Sequence, residues 1–566
     1  MIETIKEQIK LSLEKFYKTK YNQEITIVVE EPKNPELGDI SIPVFSVVKA
    51  LRRPLPEIVA EAKDEIQKAS VAIKSLSNVG GFINACIDKK LLAKEVLTQV
   101  KNLGAGYGSS DLGKGKRVTL DYSSPNIAKS FSIGHLRSTM IGNSLKLILN
   151  KCGYETYSIN YLGDWGTQFG KMIVAYKKWG NYEDIQKDPI RKLTDLYVRF
   201  HEEAKENPSL EDEAREAFRK IELQDPEYLE LWRWIREESL KESQQIYELL
   251  GVQFDSYNGE AFYNDKMDVV VKELEDKHLL KEDQGAQIVD LGEAMPPALI
   301  KRSDGGSLYM TRDLAALFYR KKEYRFDQIL YVVGNEQKLH FAQLKALVTK
   351  MGYDFSENVE HINFGLYLTD GKKMSTRKGG VVKLYDVLMK AIHLAYELVS
   401  LKNPSLENKE EVAKAVGLAA IVFADLKNHR SLDIEFNIEQ AVKFEGQTGP
   451  YLQYTSVRIA SILKEKTFDL SKCNIELFEK PHYFELVRQI SLFQSIIERA
   501  AIERAPSVIA KYLLSLAQSF NKFYSIEKIN VEEESIRNSN FALAHATRIV
   551  LNEGLRLLGI QYVNEM

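Results

Sequence analysis

The chain has little cysteine. Cys86, Cys152 and Cys473 are its three thiols, widely scattered among 566 residues. Such spacing builds neither a disulfide framework nor a metal-ligand set, so a disulfide-stapled secreted fold and a structural zinc site are excluded and a reducing cytoplasm is the expected setting. No run approaches the roughly 18 uninterrupted apolar residues of a membrane span. The opening MIETIKEQIKLSLEKF carries acids and lacks a continuous apolar stretch, so it reads as an amphipathic helix rather than a signal peptide. Charge of one sign is also lacking. A net charge of −3 does not advertise a nucleic-acid binder, and any RNA partner must be served by local patches. Repeats and low-complexity segments are absent. No Gly-x-Gly-x-x-Gly follows a first strand, which excludes an ordinary Rossmann dehydrogenase.

What is present suffices for a large core. With 44% hydrophobic and 28% charged residues the composition is that of an ordinary soluble protein, and its length suggests about three domains. Residues 1–105 read as a small α+β module: helical periodicity over 4–18 and 54–70, a strand over 24–30, a late strand over 78–88, then the linker GAGYGSS (104–110). Residues 111–405 alternate strands (117–122, 155–161, 328–333) with helices, the pattern of a parallel sheet with crossover helices. A highly charged, largely helical stretch at about 175–300 interrupts that alternation as an insertion. Residues 406–566 are dominated by long amphipathic helices, which predicts an all-α bundle. The acidic run Glu532 to Glu534 reads as a solvated helix start.

Two distant segments carry the chemistry: SSPNIAKSFSIGHLRST (123–139) and KKMSTRKGG (372–380). In the first, a strand-like run is followed by Ser124-Pro125-Asn126. Gly134-His135 then opens a stretch of helical periodicity through Leu136, Ile141, Leu145 and Ile148. A helix N-terminus offers unpaired N–H groups and partial positive charge, which suit phosphate, and Gly134 allows close approach. The second segment sets Lys373, Arg377 and Lys378 in a Gly-flanked cationic loop suited to a triphosphate. Either alone is more often a plain helix start or a solvated basic loop. In this order they read as two halves of one ATP site.

On these residues the chain resembles the arginyl-tRNA synthetases, which are class I aminoacyl-tRNA synthetases. The class signatures His-x-Gly-His and Lys-Met-Ser-Lys-Ser correspond to Ser132-Ile133-Gly134-His135 and Lys373-Met374-Ser375-Thr376-Arg377. The Met-Ser-Thr-Arg form and the flank Ser-Pro-Asn-Ile-Ala-Lys are similar to the arginine-specific members, and the likeness runs through essentially the whole chain. It implies a multidomain α/β architecture: an N-terminal domain (1–105) that binds the tRNA D-loop, a class I Rossmann-type catalytic domain (111–405) with its insertion, and a helical anticodon-binding domain (406–566).

The resemblance also implies a reaction and its residues. The arginine carboxylate attacks the α-phosphate of ATP, pyrophosphate leaves, and the arginyl adenylate acylates the terminal ribose of tRNA(Arg). Catalysis is then positioning plus stabilisation of phosphate charge. His135, Lys129, Lys373 and Arg377 supply the donors, and Ser132, Gly134, Met374 and Ser375 complete the ATP site. Ser132 departs from the first His of the signature, since a hydroxyl donates a hydrogen bond but carries no charge. A guanidinium favours carboxylates. Tyr309 and Asp313, at i and i+4 on one helical face, hold it by resemblance, with Asp121 adding charge and Asn126 and Gln337 holding the α-amino and carboxylate groups. Asp164, Trp165, Thr167 and Gln168 match a segment that lines the floor of the site. His340 is either an adenosine contact or a packed core residue.

For RNA, strand alternation puts Phe82 and Asn84 on one face, and family members use an aromatic and an amide there for a D-loop base; the plain reading of Phe82 is core. Tyr451, Tyr454, Arg458 and the terminal Met566 are the anticodon-end contacts. Mg²⁺ is expected with ATP, chiefly on its phosphates, with no zinc. The protein is expected to be a cytoplasmic monomer with no membrane partner. Two other readings are weighed. A cysteine-charging synthetase is opposed by the missing zinc ligands and by Tyr309, Asp313 and Asp121. A catalytically silent tRNA-binding relative is favoured by Ser132 alone and opposed by His135, Lys373, Asp313 and Gln337.

Overall fold

The computed structural model describes residues 1–127, 131–302, 309–374 and 382–566. The N-terminal helix Ile2–Tyr21 exists because Ile2, Ile5, Ile9, Leu13 and Tyr17 recur at helical spacing; all five are buried. It packs against the helix Leu55–Ala69, whose Ile58, Ala62 and Ile66 face it from the same core. Beside the helices lies an antiparallel sheet of β1 (Ile40–Pro43), β2 (Ile73–Val79) and β3 (Phe82–Ile87), in the order β1-β3-β2. Two expectations change here. Residues 24–30 are extended but form no strand: Ile25 and Ile27 are buried, and only Glu30 bridges to Ser41. Residues 78–88 are not one strand but the close of a hairpin, which turns at Gly80 with φ +58. At Gly81 a Cβ would meet the Phe45 ring at 2.3 Å.

The central sheet begins with β4 (Arg117–Asp121) and continues through the helix Ile133–Lys151 to β5 (Glu155–Ile159), parallel to β4. Five helices follow, from Thr167–Trp179 to the long Pro226–Leu250, with a core of their own around Phe169, Ile173, Phe200 and Ile221. A small antiparallel sheet comes next: β6 (Leu280–Asp283), β7 (Ala286–Val289) and β8 (Ala298–Lys301). The helix Tyr309–Tyr324 leads back to β9 (Gln328–Tyr331), and the helix Lys338–Lys350 to β10 (Val359–His361). All four central strands are parallel, in the order β10-β9-β4-β5. The strand order reverses at β4, so the crevice beyond its C-terminal end, at Asp121, is where a ligand is expected.

β11 (Tyr367–Thr369) pairs with β12 (Lys372–Lys373) on one side and with β13 (Ile434–Glu435) on the other. The remaining C-terminal chain is helical. Its last helix, Glu534–Leu557, lies against Ser507–Ile526 and Gly449–Leu463 and also reaches the helix Ile133–Lys151. Ser144 donates to the Leu557 carbonyl at 2.8 Å, and Lys151 pairs with Glu553 at 2.9 Å, both side chains buried. The 104–110 connection is pinned as well: Tyr107 is buried and donates to the Ile490 carbonyl at 3.1 Å. One apolar cluster accordingly runs from Ile9 through Leu136 to Leu551. The three cysteines are free thiols, and among the described residues no helix is long and apolar enough to cross a membrane.

The tightest polar tie is at Arg137, which is 1% exposed. Its Nε meets Asp425 Oδ1 at 3.1 Å, while its terminal nitrogens donate to the carbonyls of Leu432 and Arg430. Tyr367 donates to the other oxygen of Asp425 at 2.6 Å. Breaking such a pair from one side leaves an uncompensated buried charge. Asp425→Ala is therefore expected to cost about 3–5 kcal/mol, read as a lower midpoint of urea unfolding. An unchanged midpoint would show that the backbone carbonyls suffice for Arg137.

Candidate active site

The site starts in a strained loop. Directly after β4, Ser123 and Ser124 both adopt left-handed backbone, with φ 71 and 46. Two consecutive non-glycine residues there cost about 1–3 kcal/mol each, so neighbouring groups must hold them. Ser138 Oγ accepts from the Ser123 N–H at 2.8 Å and donates to the Val332 carbonyl. Ser123 Oγ lies 2.8 Å from Tyr247 Oη, on the long insertion helix, and 2.8 Å from Thr139 Oγ1. Ser124 Oγ donates to Asp121 Oδ1 at 2.9 Å. The loop then delivers Asn126, exposed, across Gly163, where a Cβ would stand 2.2 Å from Asn126 Oδ1. Only glycine fits opposite this asparagine.

The helix Ile133–Lys151 begins at Ser132. The Ser132 N–H donates to His135 Nδ1 at 3.0 Å, which makes Nδ1 an acceptor and leaves the ring proton on Nε2. Position 132 thus sets the tautomer of His135 through its backbone N–H, which any residue but proline supplies, and the Ser132 Oγ lies 3.0 Å from the same ring nitrogen. Gly134 is exposed in the same first turn. The chain that follows the second signature segment returns to this spot. Ser132 bridges to Lys383, the Ile133 N–H donates to the Val382 carbonyl at 3.0 Å, and the Leu384 N–H donates to the Phe131 carbonyl at 2.9 Å. Lys373 is exposed on β12, and Met374 packs on the core and donates its N–H to the Tyr367 carbonyl. Lys129, Ser375 and Arg377 lie outside the described residues.

A second cluster faces the same crevice from the helix Tyr309–Tyr324. Tyr309, Asp313 and Arg320 fall on one stripe of this helix, since i, i+4 and i+11 nearly coincide at 3.6 residues per turn. Tyr309 is largely exposed. Asp313 Oδ2 lies 2.6 Å from His340 Nε2, and its Oδ1 has no hydrogen bond among the described residues. Gln337, exposed, is the N-cap of the helix that carries His340. Asp121 is buried, and its Oδ2 pairs with Arg320 Nη1 at 2.8 Å. Its carboxylate is thus matched by an internal cation, and Asp313 is the one of the two acids with an oxygen unpartnered among the described residues. Arg320 is itself ringed by Tyr161, Tyr263 and Tyr331, and its Nε and Nη2 are buried without partners.

Sequence reasoning missed Arg320, Tyr247 and Glu260. The helical stripe through Tyr309 and Asp313 was a usable signal for Arg320; nothing local marks the other two. Asp164 and Trp165 hold the insertion: Asp164 pairs with Arg236 at 2.7 Å and accepts from the Ala261 N–H, and Trp165 packs on Trp232. His340 is half-buried and its Nε2 meets Asp313, so it is not a plain core residue.

The remaining residues stand elsewhere. Phe82 is 38% exposed and meets Phe45 edge-on at 5.2 Å, so it is outside the core. Asn84 is 1% exposed, and neither its Oδ1 nor its Nδ2 has a partner. Tyr451, Tyr454 and Arg458 line one cleft of about 440 Å³ on the helix Gly449–Leu463. Asn521 joins Arg458 (2.8 Å) to Tyr451 (2.9 Å), and the guanidinium lies 5.1 Å from the Tyr454 ring centre. Met566 packs on the same apolar cluster as Tyr454, and its carbonyl accepts from Asn403 at 3.4 Å. No group of three or more His, Cys, Asp or Glu among the described residues is arranged to hold a metal.

Comparison with known proteins agrees along the whole chain. Three family models match: the arginyl tRNA synthetase N-terminal domain over residues 3–87, the class I (R) tRNA synthetase catalytic domain over 97–438, and the DALR anticodon-binding domain over 452–566. Among curated proteins, the arginine–tRNA ligase of Lactobacillus johnsonii is 49% identical over 567 residues, covering 100% of this chain and 99% of that one. That of Ligilactobacillus salivarius is 48% identical over 546 residues, 96% of each. Among solved structures, Thermus thermophilus arginyl-tRNA synthetase superposes with a TM-score of 0.80 at 24% identity, each chain covered fully. The Plasmodium falciparum arginyl-tRNA synthetase gives 0.80 at 23%.

The acids of the site interact. Glu260, paired with Arg312 at 3.2 Å, is pushed up to about 7 by burial; Arg312 opposes the rise and Asp313 adds to it. A carboxyl whose pKa is raised by folding binds more protons folded than unfolded. Stability is therefore full below the ordinary glutamate value and falls as pH rises from there through about 7. Relative to Glu260→Gln, the wild type is expected to lose roughly 3 kcal/mol across that window. Urea unfolding of both proteins at several pH values reads this, and parallel pH profiles would reject it.

Proposed function

The chain belongs to the arginyl-tRNA synthetases of class I, and from that footing we infer how its residues share the work of arginine–tRNA ligation. ATP, L-arginine and tRNA give AMP, pyrophosphate and arginyl-tRNA. A carboxylate oxygen of arginine attacks the α-phosphorus, and the bond to pyrophosphate breaks. The terminal ribose hydroxyl of tRNA(Arg) then attacks the adenylate carbonyl and AMP leaves. The observation that carries the assignment is the bridge between Ser132 and Lys383, which brings the chain flanking both signature segments to one helix start.

We propose that His135, through Nε2–H, and Lys373 donate to the phosphates together with Lys129 and Arg377. Ser132, Gly134, Met374 and Ser375 shape the ATP site. Its support is the first turn of this helix, where Gly134 is exposed and the positive end of the helix dipole favours anionic ligands. Asp313 and Tyr309 take the guanidinium, Asn126 and Gln337 the α-amino and carboxylate groups, and Asp121, neutralised by Arg320, supports the pocket from beneath. Mg²⁺ enters on the phosphates of ATP. For tRNA, Phe82 offers a stacking face and Asn84 an amide whose hydrogen bonds are unfilled. Tyr451, Tyr454, Arg458 and Met566 serve the anticodon end. The working division is 1–105, 111–405 and 406–566, in a cytoplasmic monomer.

Arginine-dependent ATP–pyrophosphate exchange, run with and without tRNA(Arg) and against the other amino acids, tests this. Exchange with arginine alone among them is expected, and dependence on tRNA would tie the two ends of the molecule to the site. Binding of tRNA without exchange would move the chain to a silent relative. Asp313→Asn should raise the KM for arginine by about 10- to 100-fold, because the guanidinium loses a charged partner; an unchanged KM rejects that role. Phe82→Ala should weaken tRNA use while leaving thermal stability within a few degrees, and loss of folding would instead mark Phe82 as structural.

A further inference from the structure

The Asp313 carboxylate is not left to find its own orientation. The helix Lys338–Lys350 opens with Gln337 as its N-cap and carries His340 in its first turn. His340 Nε2 stands 2.6 Å from Asp313 Oδ2, and because a carboxylate accepts, the ring proton lies on Nε2. Both side chains are 21% exposed, so the contact is largely shielded from water. The imidazole is backed by other rings. Phe341 meets it edge-on at 5.3 Å, and Phe341 in turn lies 4.9 Å from Tyr331 and 4.6 Å from His361, which is fixed by the Val333 carbonyl at 3.0 Å. The second oxygen, Oδ1, has no hydrogen bond among the described residues.

We propose that His340 is a positioning residue that sets substrate specificity: it occupies Asp313 Oδ2 and presents Oδ1 in one fixed direction, which selects a planar guanidinium over a compact ammonium. This rests on the reading that arginine is held at Asp313. A guanidinium carries its N–H groups in a rigid fork and rewards an acceptor fixed in the matching direction. An ammonium turns its donors freely and follows a carboxylate that moves. Loosening Asp313 therefore weakens arginine more than lysine, and specificity, being a difference of affinities, declines.

The test uses the full-length protein with tRNA(Arg). ATP–pyrophosphate exchange with arginine and with lysine is compared for wild type, His340→Ala, His340→Asn and His340→Gln. His340→Ala is expected to raise the arginine KM about tenfold or more, to change kcat by less than about threefold, and to lower the arginine-over-lysine ratio of kcat/KM about tenfold. The Asn amide is too short to reach Oδ2 and should reproduce this without opening a cavity. The longer Gln amide reaches the position of Nε2 and should restore most of both quantities. An unchanged KM and ratio in His340→Ala and His340→Asn would overturn the proposal. So would a fall in kcat at constant KM, which would place His340 on the ATP side. Asp313→Asn separates the two layers: if it too leaves the arginine KM unchanged, the assignment of the guanidinium to Asp313 fails; if it raises KM while the His340 variants do not, only the role of His340 fails.

Discussion

The molecule turns on one buried guanidinium. Arg137 sits on the helix Ile133–Lys151, and its partners belong to chain nearly three hundred residues later: Asp425, Arg430 and Leu432. Asp425 also takes the hydroxyl of Tyr367, on the strand that leads to the second signature segment. A charge with almost no exposure has to be compensated where it lies. The helix Ile133–Lys151, the β11 strand and the helix Lys409–Leu426 are therefore held to one another by the same few atoms. This is a constraint on geometry more than a source of net stability, because desolvating the pair offsets much of its attraction.

The crevice beyond β4 repeats that logic with finer consequences. Asp121 and Asp313 both approach the crevice, and two open carboxylates there would repel each other. Arg320 resolves this by neutralising one of them from within the fold, and the aromatic ring around it excludes water. The pocket keeps the charge it needs at Asp313 and hides the rest. Tyr247 extends the arrangement to the insertion, because its hydroxyl joins the strained Ser123 to Asn160 at the end of β5. The insertion is in this sense part of the active site, although none of its side chains resembles a catalytic group.

Much of this was legible in the sequence where a local rule applies. The helix Ile2–Tyr21 follows from apolar spacing, the strands β4, β5 and β9 from short apolar runs, and the two signature segments from the residue types phosphate requires. Reading failed where the outcome depends on a partner. Residues 24–30 alternate like a strand, but the edge they face bonds them only at Glu30. Gly80-Gly81 lay inside the expected strand 78–88 and was a signal for the hairpin that the apolar run concealed. The pairing of Asp121 with Arg320 could not be read locally, because that cation lies far along the chain. Asp164 and Trp165 match a floor-lining segment, and their tie to Arg236 and Trp232 emerges only when the insertion folds back. The place of position 132 in the fold emerges only with the helix start, where its backbone N–H is directed at His135.

The paired left-handed serines have a meaning for anyone who would harden this enzyme. Glycine at 123 or 124 would relieve the backbone, and a search for heat resistance would reward it. Yet the discomfort of those two residues is what sends the chain from Asp121 to Asn126 by a single route, with Tyr247, Ser138 and Thr139 closing off the others. A more comfortable loop is a less certain one. Backbone comfort and a single loop course are thus opposed at two adjacent peptide units, and the strain is best regarded as information the fold keeps about the path of this loop.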